Sequence, residues 1–405
     1  MARMIWLNWS GGGNLPPSLG IARVLTERGH DVSFAGRPEM VPRVKRAGFR
    51  AIELSRAYDQ ADRYPPNKWL PRAASFLTSP AVAEQIRELL PAENPDLVIV
   101  DQMFPVALLE AVRFGRPSVA VCHTSVWRCL DMWRKFFALL VGLRTEAGFE
   151  PIPGELENLW MVQDLMIATT LRSLDESPGA LGRAHKLLHV GPVLEQERHG
   201  VRVELPWPED SSIPLVLVSL STMPEQGSVK KFQNAIDALS GLPVRGVVTV
   251  GDSVDPGALQ PSENVAVFAT ADHDDLMARA SLVVTHGGHG TFMRALKNGL
   301  PMVVIPGLGG DQPINAAAAE TWGVGRALPG DATSTMIQGA VKELLGSRKQ
   351  RDRAIEISAQ LRGVDGAANA ADAIESLLGH ASCVLGAPGM MNREADASAA
   401  RQSMR

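Results

Sequence analysis

Residues Val283–Ala317 read VVTHGGHGTFMRALKNGLPMVVIPGLGGDQPINAA. The apolar run Leu282–Thr285 ends at His286 and a glycine cluster, Gly287, Gly288 and Gly290, and Thr291 then opens a helical pattern. A second apolar run, Met302–Ile305, follows, and a second Gly-rich turn leads into Asp311-Gln312 and another helix. Short continuous apolar runs separated by helices predict parallel strands covered on both faces. The glycines allow a sharp turn and close backbone approach to a ligand. A helix start offers unpaired N–H groups and the positive end of the helix dipole, so this turn suits a diphosphate. His286 and Thr291 add side-chain donors, and a charge-assisted hydrogen bond of that kind is worth about 1.5–3 kcal/mol. Asp311 and Gln312 set a carboxylate and an amide side by side, able to bind neighbouring hydroxyls. A lone glycine cluster would be an ordinary strand–helix turn; the whole stretch is what carries meaning.

The same alternation runs outward in both directions. Before it, Leu215–Ser219, Gly246–Val250 and Val265–Phe268 predict strands, with helices at Ser228–Leu239 and Leu276–Ala280. After it come helices near Thr335–Leu345, Arg351–Leu361 and Ala367–Leu378. The first half repeats the pattern, with strands at Met4–Asn8, Asp31–Ala35, Ala51–Leu54, Leu97–Val100 and Ser118–Cys122. Helices at Pro16–Arg28, Val41–Ala47, Ala81–Leu90 and Pro105–Phe114 fill the gaps. Residues 126–175 read as helices rich in aromatic and methionine side chains, Met166 among them. The expectation is an α/β chain of two Rossmann-like doubly wound domains. Their spans are 1–194 and 213–362, joined by a charged, Pro-rich linker at 195–212. A helix at 363–380 is expected to pack back on the first domain, and the unpatterned tail 381–405 to be disordered.

Bulk properties exclude several classes. A chain of 405 residues exceeds one ordinary core and fits two domains. A net charge of −4 gives no strong attraction to nucleic acid or anionic membrane. The longest apolar run, Phe136–Leu143, is too short for a membrane span. Three cysteines, Cys122, Cys129 and Cys383, show no metal-ligand spacing and imply a reducing compartment, so a cytoplasmic location is expected. No metal site is expected. Gly11–Gly13 lacks the G-x-G-x-x-G spacing of dinucleotide oxidoreductases.

The combination HGGHGT…GLPMVVIP…DQPINA resembles the donor signature of the UGT-like (family 1) nucleotide-sugar-dependent glycosyltransferases, in their bacterial natural-product form. The resemblance extends over nearly the whole chain in layout and about 35 residues tightly. It implies the GT-B fold, two Rossmann-like domains facing across a cleft, with the donor held by the second domain and the acceptor by the first. It also implies an inverting hexosyl transfer with a nucleoside diphosphate sugar as co-substrate and no further cofactor. The acceptor would be a small, apolar hydroxylated molecule, and the protein a monomer or homodimer. By position, His286 resembles the histidine that contacts the diphosphate, and Gly288, Gly290 and Thr291 the loop that cradles it. Asp311 and Gln312 resemble the pair that holds the sugar. Ser221 and Thr222 stand where the family has a turn near the diphosphate. His273 lies about where many members have a glutamine, and in the run ADHDD it reads as an exposed helix-start residue. Many UDP-sugar enzymes have a ribose-binding glutamate where this chain has Arg294, which favours dTDP over UDP.

The departure that matters most concerns the general base. Inverting members place a histidine after the first strand, oriented by an aspartate after a later one. Here that segment is Ser10-Gly-Gly-Gly-Asn14-Leu-Pro-Pro-Ser-Leu, and Asn14 takes the histidine's place. An amide can orient an acceptor but cannot accept its proton. Asp101 matches the orienting aspartate and could itself face the acceptor. His123, after Ser118–Cys122, has the intrinsic pKa of a base. The catalytic candidates are therefore Asp101, His123 and Asn14, with Ser10, Trp127, Trp133 and Trp160 as candidate acceptor contacts. Two other readings remain open: a GT-B-fold sugar-nucleotide epimerase and a non-catalytic sugar-nucleotide-binding auxiliary protein.

Overall fold

A computed structural model of the chain describes residues 1–9, 12–56, 69–176, 186–194, 202–208, 212–220, 228–307 and 309–385. They form two compact units: Met1–Val193 together with the segment from Asp365 onward, and Leu194–Val364.

The first unit runs β1 (Arg3–Asn8), α1 (Leu15–Glu27), β2 (Asp31–Gly36), α2 (Val41–Arg46), β3 (Arg50–Glu53), α3 (Trp69–Leu77), α4 (Pro80–Glu93), β4 (Leu97–Asp101), α5 (Pro105–Phe114), β5 (Ser118–Cys122), α6 (Leu130–Glu146), α7 (Leu156–Met161), β6 (Leu165–Ala168) and β7 (Leu187–His189). The second runs β8 (Leu215–Ser219), α8 (Val229–Ser240), β9 (Arg245–Thr249), β10 (Val265–Phe268), α9 (His273–Arg279), β11 (Leu282–Thr285), α10 (His289–Lys297), β12 (Met302–Val304), α11 (Gln312–Thr321), β13 (Gly325–Ala327), α12 (Ser334–Gly346) and α13 (Arg348–Leu361). A final helix, α14 (Gly366–Leu385), belongs to the first unit.

Both sheets are parallel, in the orders β3-β2-β1-β4-β5-β6-β7 and β10-β9-β8-β11-β12-β13. In each, the order reverses beside the unit's first strand, between β1 and β4 and between β8 and β11. Doubly wound sheets bind ligands at that switch point, beyond the carboxyl ends of the strands. The central strands β4, β5 and β8 are buried along their whole length, as helices on both faces require. Several helices start where a side chain caps them: Ser79 accepts from Val82 N–H, Ser228 from Lys231 N–H and Thr333 from Met336 N–H. In the first core, Trp6 stacks on Phe34 with ring centroids 5.6 Å apart, and Phe49 tilts against Phe34. Helix α14 completes this core with Ala370, Ala371 and Ile374, all fully buried, and Arg28 on the loop after α1 pairs with Asp372 and Glu375.

Three strands escape the sequence pattern. Met166 lies on β6, not on a helix, and β7 and β13 have no counterpart in the predicted elements. β7 (LLH) and β13 (GRA) carry no continuous apolar run, and β6 (LMIA) is hidden in a stretch rich in aromatic and methionine side chains that reads as helical. Helix α14 continues to Leu385, beyond the expected end at 380, while 386–405 lie outside the described residues. Among the described residues no helix is long and apolar enough to cross a membrane.

Candidate functional site

The first unit concentrates its polar side chains at the switch point between β1 and β4. Asp101 ends β4, is 2% exposed, and is surrounded by donors. Its Oδ1 accepts from Trp9 Nε1 at 3.0 Å and from the Met103 N–H at 2.9 Å. Its Oδ2 accepts from Asn14 Nδ2 at 2.9 Å. Asn14 sits at the N-cap of α1, yet its side chain does not cap the helix. It reaches back instead, donating to Asp101 and to Asn8 Oδ1 at 2.9 Å. Asn8 Nδ2 in turn donates to Ser18 Oγ, and Ser18 Oγ to the Asn14 carbonyl, each at 2.9 Å. Two buried asparagines, a serine and a carboxylate thus form one closed network, rigid because its members satisfy one another.

His123 follows β5, and its Nδ1 lies 3.8 Å from Asp101 Oδ2. The ring packs edge-on against Trp133 at 5.8 Å. The loop carrying it is anchored by Asp175, which is 1% exposed. Asp175 accepts from the Val126 and Arg128 N–H groups, each at 2.9 Å, and pairs with His189 Nε2 at 3.0 Å. The three catalytic candidates of the sequence, Asn14, Asp101 and His123, therefore meet in one place.

The expected acceptor contacts divide. Trp133 lies beside His123, its Nε1 donating to the Ser125 carbonyl at 3.0 Å. Trp127 is half-buried. Trp160 is a correction: only 2% exposed, with Nε1 donating to the Gln102 carbonyl, it is a core side chain that fixes the chain beyond β4. Trp9 was missed by the sequence reading. It stacks with the half-buried Phe136 at 6.5 Å while its indole N–H holds Asp101. Nothing in the one-dimensional pattern separates Trp9 from the other tryptophans. Ser10 lies outside the described residues.

In the second unit the quoted turn leaves β11 at the switch point beside β8, where Thr285 pairs with Ser219. Gly287 has φ +86°, and Gly288 is the N-cap of α10 without a side-chain cap. A Cβ at 288 would stand 2.5 Å from His286 Nε2, so the imidazole keeps this position because residue 288 is glycine. Burial holds the His286 ring below its usual pKa, opposed by the Ser219 backbone and the Asp311 charge. Asp311 Oδ2 accepts from the His289 N–H at 3.1 Å and from Asn315 Nδ2 at 3.2 Å, and Asn315 also donates to the Gly287 carbonyl at 2.8 Å. Gln312 Oε1 accepts from the Gly307 N–H at 2.7 Å. Asp311 and Asn315 therefore brace the two Gly-rich turns against each other, while Gln312 closes the second turn on itself. A Cβ on the exposed Gly290 would meet nothing within 4 Å, so the helix start is open there, with Thr291 half-buried beside it. An open helix N-terminus flanked by a neutral imidazole can receive an anion. Ser221 and Thr222 lie outside the described residues.

His273 corrects the expectation of an exposed residue. It is half-buried at the start of α9, with Nε2 2.9 Å from Thr249 Oγ1 at the end of β9. Arg294 is held by Asp274 through a 2.7 Å bond from its Nε. Burial first, and then the Arg294 charge, push the His273 imidazole down to about 4. Unfolded histidine takes up its proton near pH ~6.5, so between the two values the unfolded chain binds more protons. The stabilisation is whole above about pH 6.5 and is lost, to an extent of roughly 3 kcal/mol, as pH falls through about 4. His286, shifted the same way, adds to that loss. Urea midpoints measured across this range are expected to fall steeply for the wild-type second unit and less steeply for His273→Gln. Parallel curves would contradict the assignment.

Residues 251–374 match the glycosyltransferase family 28 C-terminal domain, and residues 19–145 match glycosyltransferase family 4. The chain is 27% identical to demethyllactenocin mycarosyltransferase of Streptomyces fradiae over 94% of its own length and 88% of that protein's. Among solved structures it resembles CalG4, the calicheamicin glycosyltransferase, with a TM-score of 0.74 and 24% identity over 94% of this chain and 98% of that one. It also resembles the glycosyltransferase VinC in complex with dTDP, with a TM-score of 0.69 and 16% identity over 93% and 98%.

Proposed function

Taking as premise that the chain is a glycosyltransferase of the GT-B fold, related to natural-product enzymes, we propose that it transfers a sugar from a dTDP- or UDP-sugar to a small apolar hydroxylated acceptor, with inversion. The observation that carries this reading is the open start of α10 at the β8/β11 switch point, with His286 laid against its first turn. The acceptor oxygen attacks the anomeric carbon, the bond from that carbon to the β-phosphate oxygen breaks, and a nucleoside diphosphate leaves. Single displacement inverts the centre. Charge developing on the leaving diphosphate is met by the α10 N–H groups and the His286 ring, which are already in place when it forms. The sugar hydroxyls fall to Asp311 and Gln312. For the acceptor, Trp9, Trp133 and Phe136 supply apolar surface beside Asp101 and His123.

Arg294 supports dTDP as the preferred nucleotide. A guanidinium has donors only and cannot accept from ribose hydroxyls as a carboxylate would. VinC was solved with dTDP bound, which accords with this preference.

Calorimetry and thermal shift with dTDP, UDP, GDP and NAD test the reading. dTDP and UDP are expected to bind, dTDP more tightly. His286→Ala is expected to weaken dTDP by roughly 10- to 100-fold, the equivalent of one charge-assisted hydrogen bond. Equal binding by the variant, or preference for GDP or NAD, would refute the donor site.

A further inference from the structure

We infer that His123 is the general base of the transfer and that Asp101 is its positioning residue, the role vacated at Asn14 having moved to the end of β5. This rests on the glycosyl-transfer reading above.

Asn14 is ruled out by its chemistry and by its bonds, since its amide nitrogen already donates to Asn8 and Asp101. Asp101 is ruled out by access. It is 2% exposed, and its two oxygens accept from Trp9, Met103 and Asn14. With 2% of its surface exposed, it offers an acceptor hydroxyl no free approach. His123 has the opposite character. Its side chain keeps 17% of its surface accessible, while Nδ1 is buried without a hydrogen-bond partner and turned toward Asp101 Oδ2 at 3.8 Å. The accessible part of the ring therefore lies away from Nδ1. A proton on Nδ1 faces the carboxylate, which leaves the Nε2 lone pair for the substrate. Hydrogen bonds of catalytic pairs are often long before substrate arrives and shorten as charge develops.

The step balances simply. Nε2 takes the acceptor's hydroxyl proton as the oxygen–carbon bond forms and the bond to the leaving diphosphate breaks. The imidazolium is held by Asp101 until its proton passes to solvent. Two anchors keep the ring in register: Trp133 in edge contact with it and Asp175 on the loop backbone.

The test measures transfer from dTDP-glucose or UDP-glucose to two phenols, 4-nitrophenol and phenol, at mildly alkaline pH. 4-Nitrophenol is largely ionised there and needs no base; phenol is not. His123→Gln is expected to lower kcat on phenol by about 10²- to 10⁴-fold and on 4-nitrophenol by far less, with dTDP affinity unchanged. Asp101→Asn is expected to lower kcat on phenol in the wild-type background and to add little to His123→Gln, a non-additivity that general structural damage does not produce. Equal loss of both acceptors, retention of phenol transfer, or additive effects would overturn the assignment while leaving the transferase reading intact. Failure of the wild-type protein to bind dTDP or UDP would overturn the transferase reading itself, and this inference with it.

Discussion

Asp175→Ala is expected to destabilise the first unit by about 3–5 kcal/mol, since three buried donors lose their acceptor at about 1–3 kcal/mol each. Asp175 is 1% exposed and accepts from three donors, the Val126 and Arg128 amides and His189. Alanine leaves all three without an acceptor, two of them backbone groups of a loop whose path depends on that carboxylate. The loss is a large part of the roughly 5–15 kcal/mol that holds a typical domain together, so soluble yield should fall too. Asp175→Asn keeps one oxygen acceptor and should recover part of the stability. Urea unfolding followed by tryptophan fluorescence reads both. An alanine variant within about 1 kcal/mol of wild type would mean that water replaces the carboxylate freely.

Gly287→Ala is the second large effect, expected at about 2–5 kcal/mol. A left-handed backbone costs an L-residue about 1–2 kcal/mol, and overpacking adds about 1–3 kcal/mol. Gly287 has φ +86°, and a Cβ there would lie 2.7 Å from Val304 Cγ1 and 3.1 Å from the Gln312 carbonyl. One of the two contacts is backbone and cannot swing aside. Because the Gly287 carbonyl is tied to Asn315, any shift reaches Asp311 and the start of α10. dTDP binding should therefore fall together with the melting temperature of the second unit. Gly290→Ala separates the two quantities. Its Cβ meets nothing within 4 Å, so stability should stay within about 0.5 kcal/mol while the new methyl occupies the open helix start. Unchanged melting in Gly287→Ala would show that the turn relaxes without cost.

The sequence was most legible where several signals coincide. The runs Leu97–Val100 and Leu215–Val218 are continuously apolar because helices cover both faces, and the glycine cluster marks the turn after β11. Burial of that kind is written in composition, so it can be read without coordinates. The short strands β6, β7 and β13 owe their existence to neighbours already in place, and no local pattern announces them. The polar network at Asp101 was half visible. Asn14, Asp101 and His123 stand out in the sequence, but Asn8, Trp9 and Asp175 are joined to them only by folding, Trp9 and Asp101 being 92 positions apart. His273 misled because a histidine among aspartates reads as solvated, whereas Thr249, 24 positions away, takes its ring inward.

The return of α14 to the first unit has a consequence for biosynthesis. Ala370, Ala371 and Ile374 are interior residues of a core whose other members all precede residue 194. A ribosome adding about 5–20 residues per second leaves that core unfinished for about 10–40 s after its last β-strand emerges. During this interval the face of α1 that α14 will cover is exposed to other nascent chains and to holdase chaperones. A fragment ending near residue 193 would hold that exposed state permanently. Domain-exchange chimeras of this protein should accordingly carry α14 with the N-terminal half, although it follows the second unit in the chain.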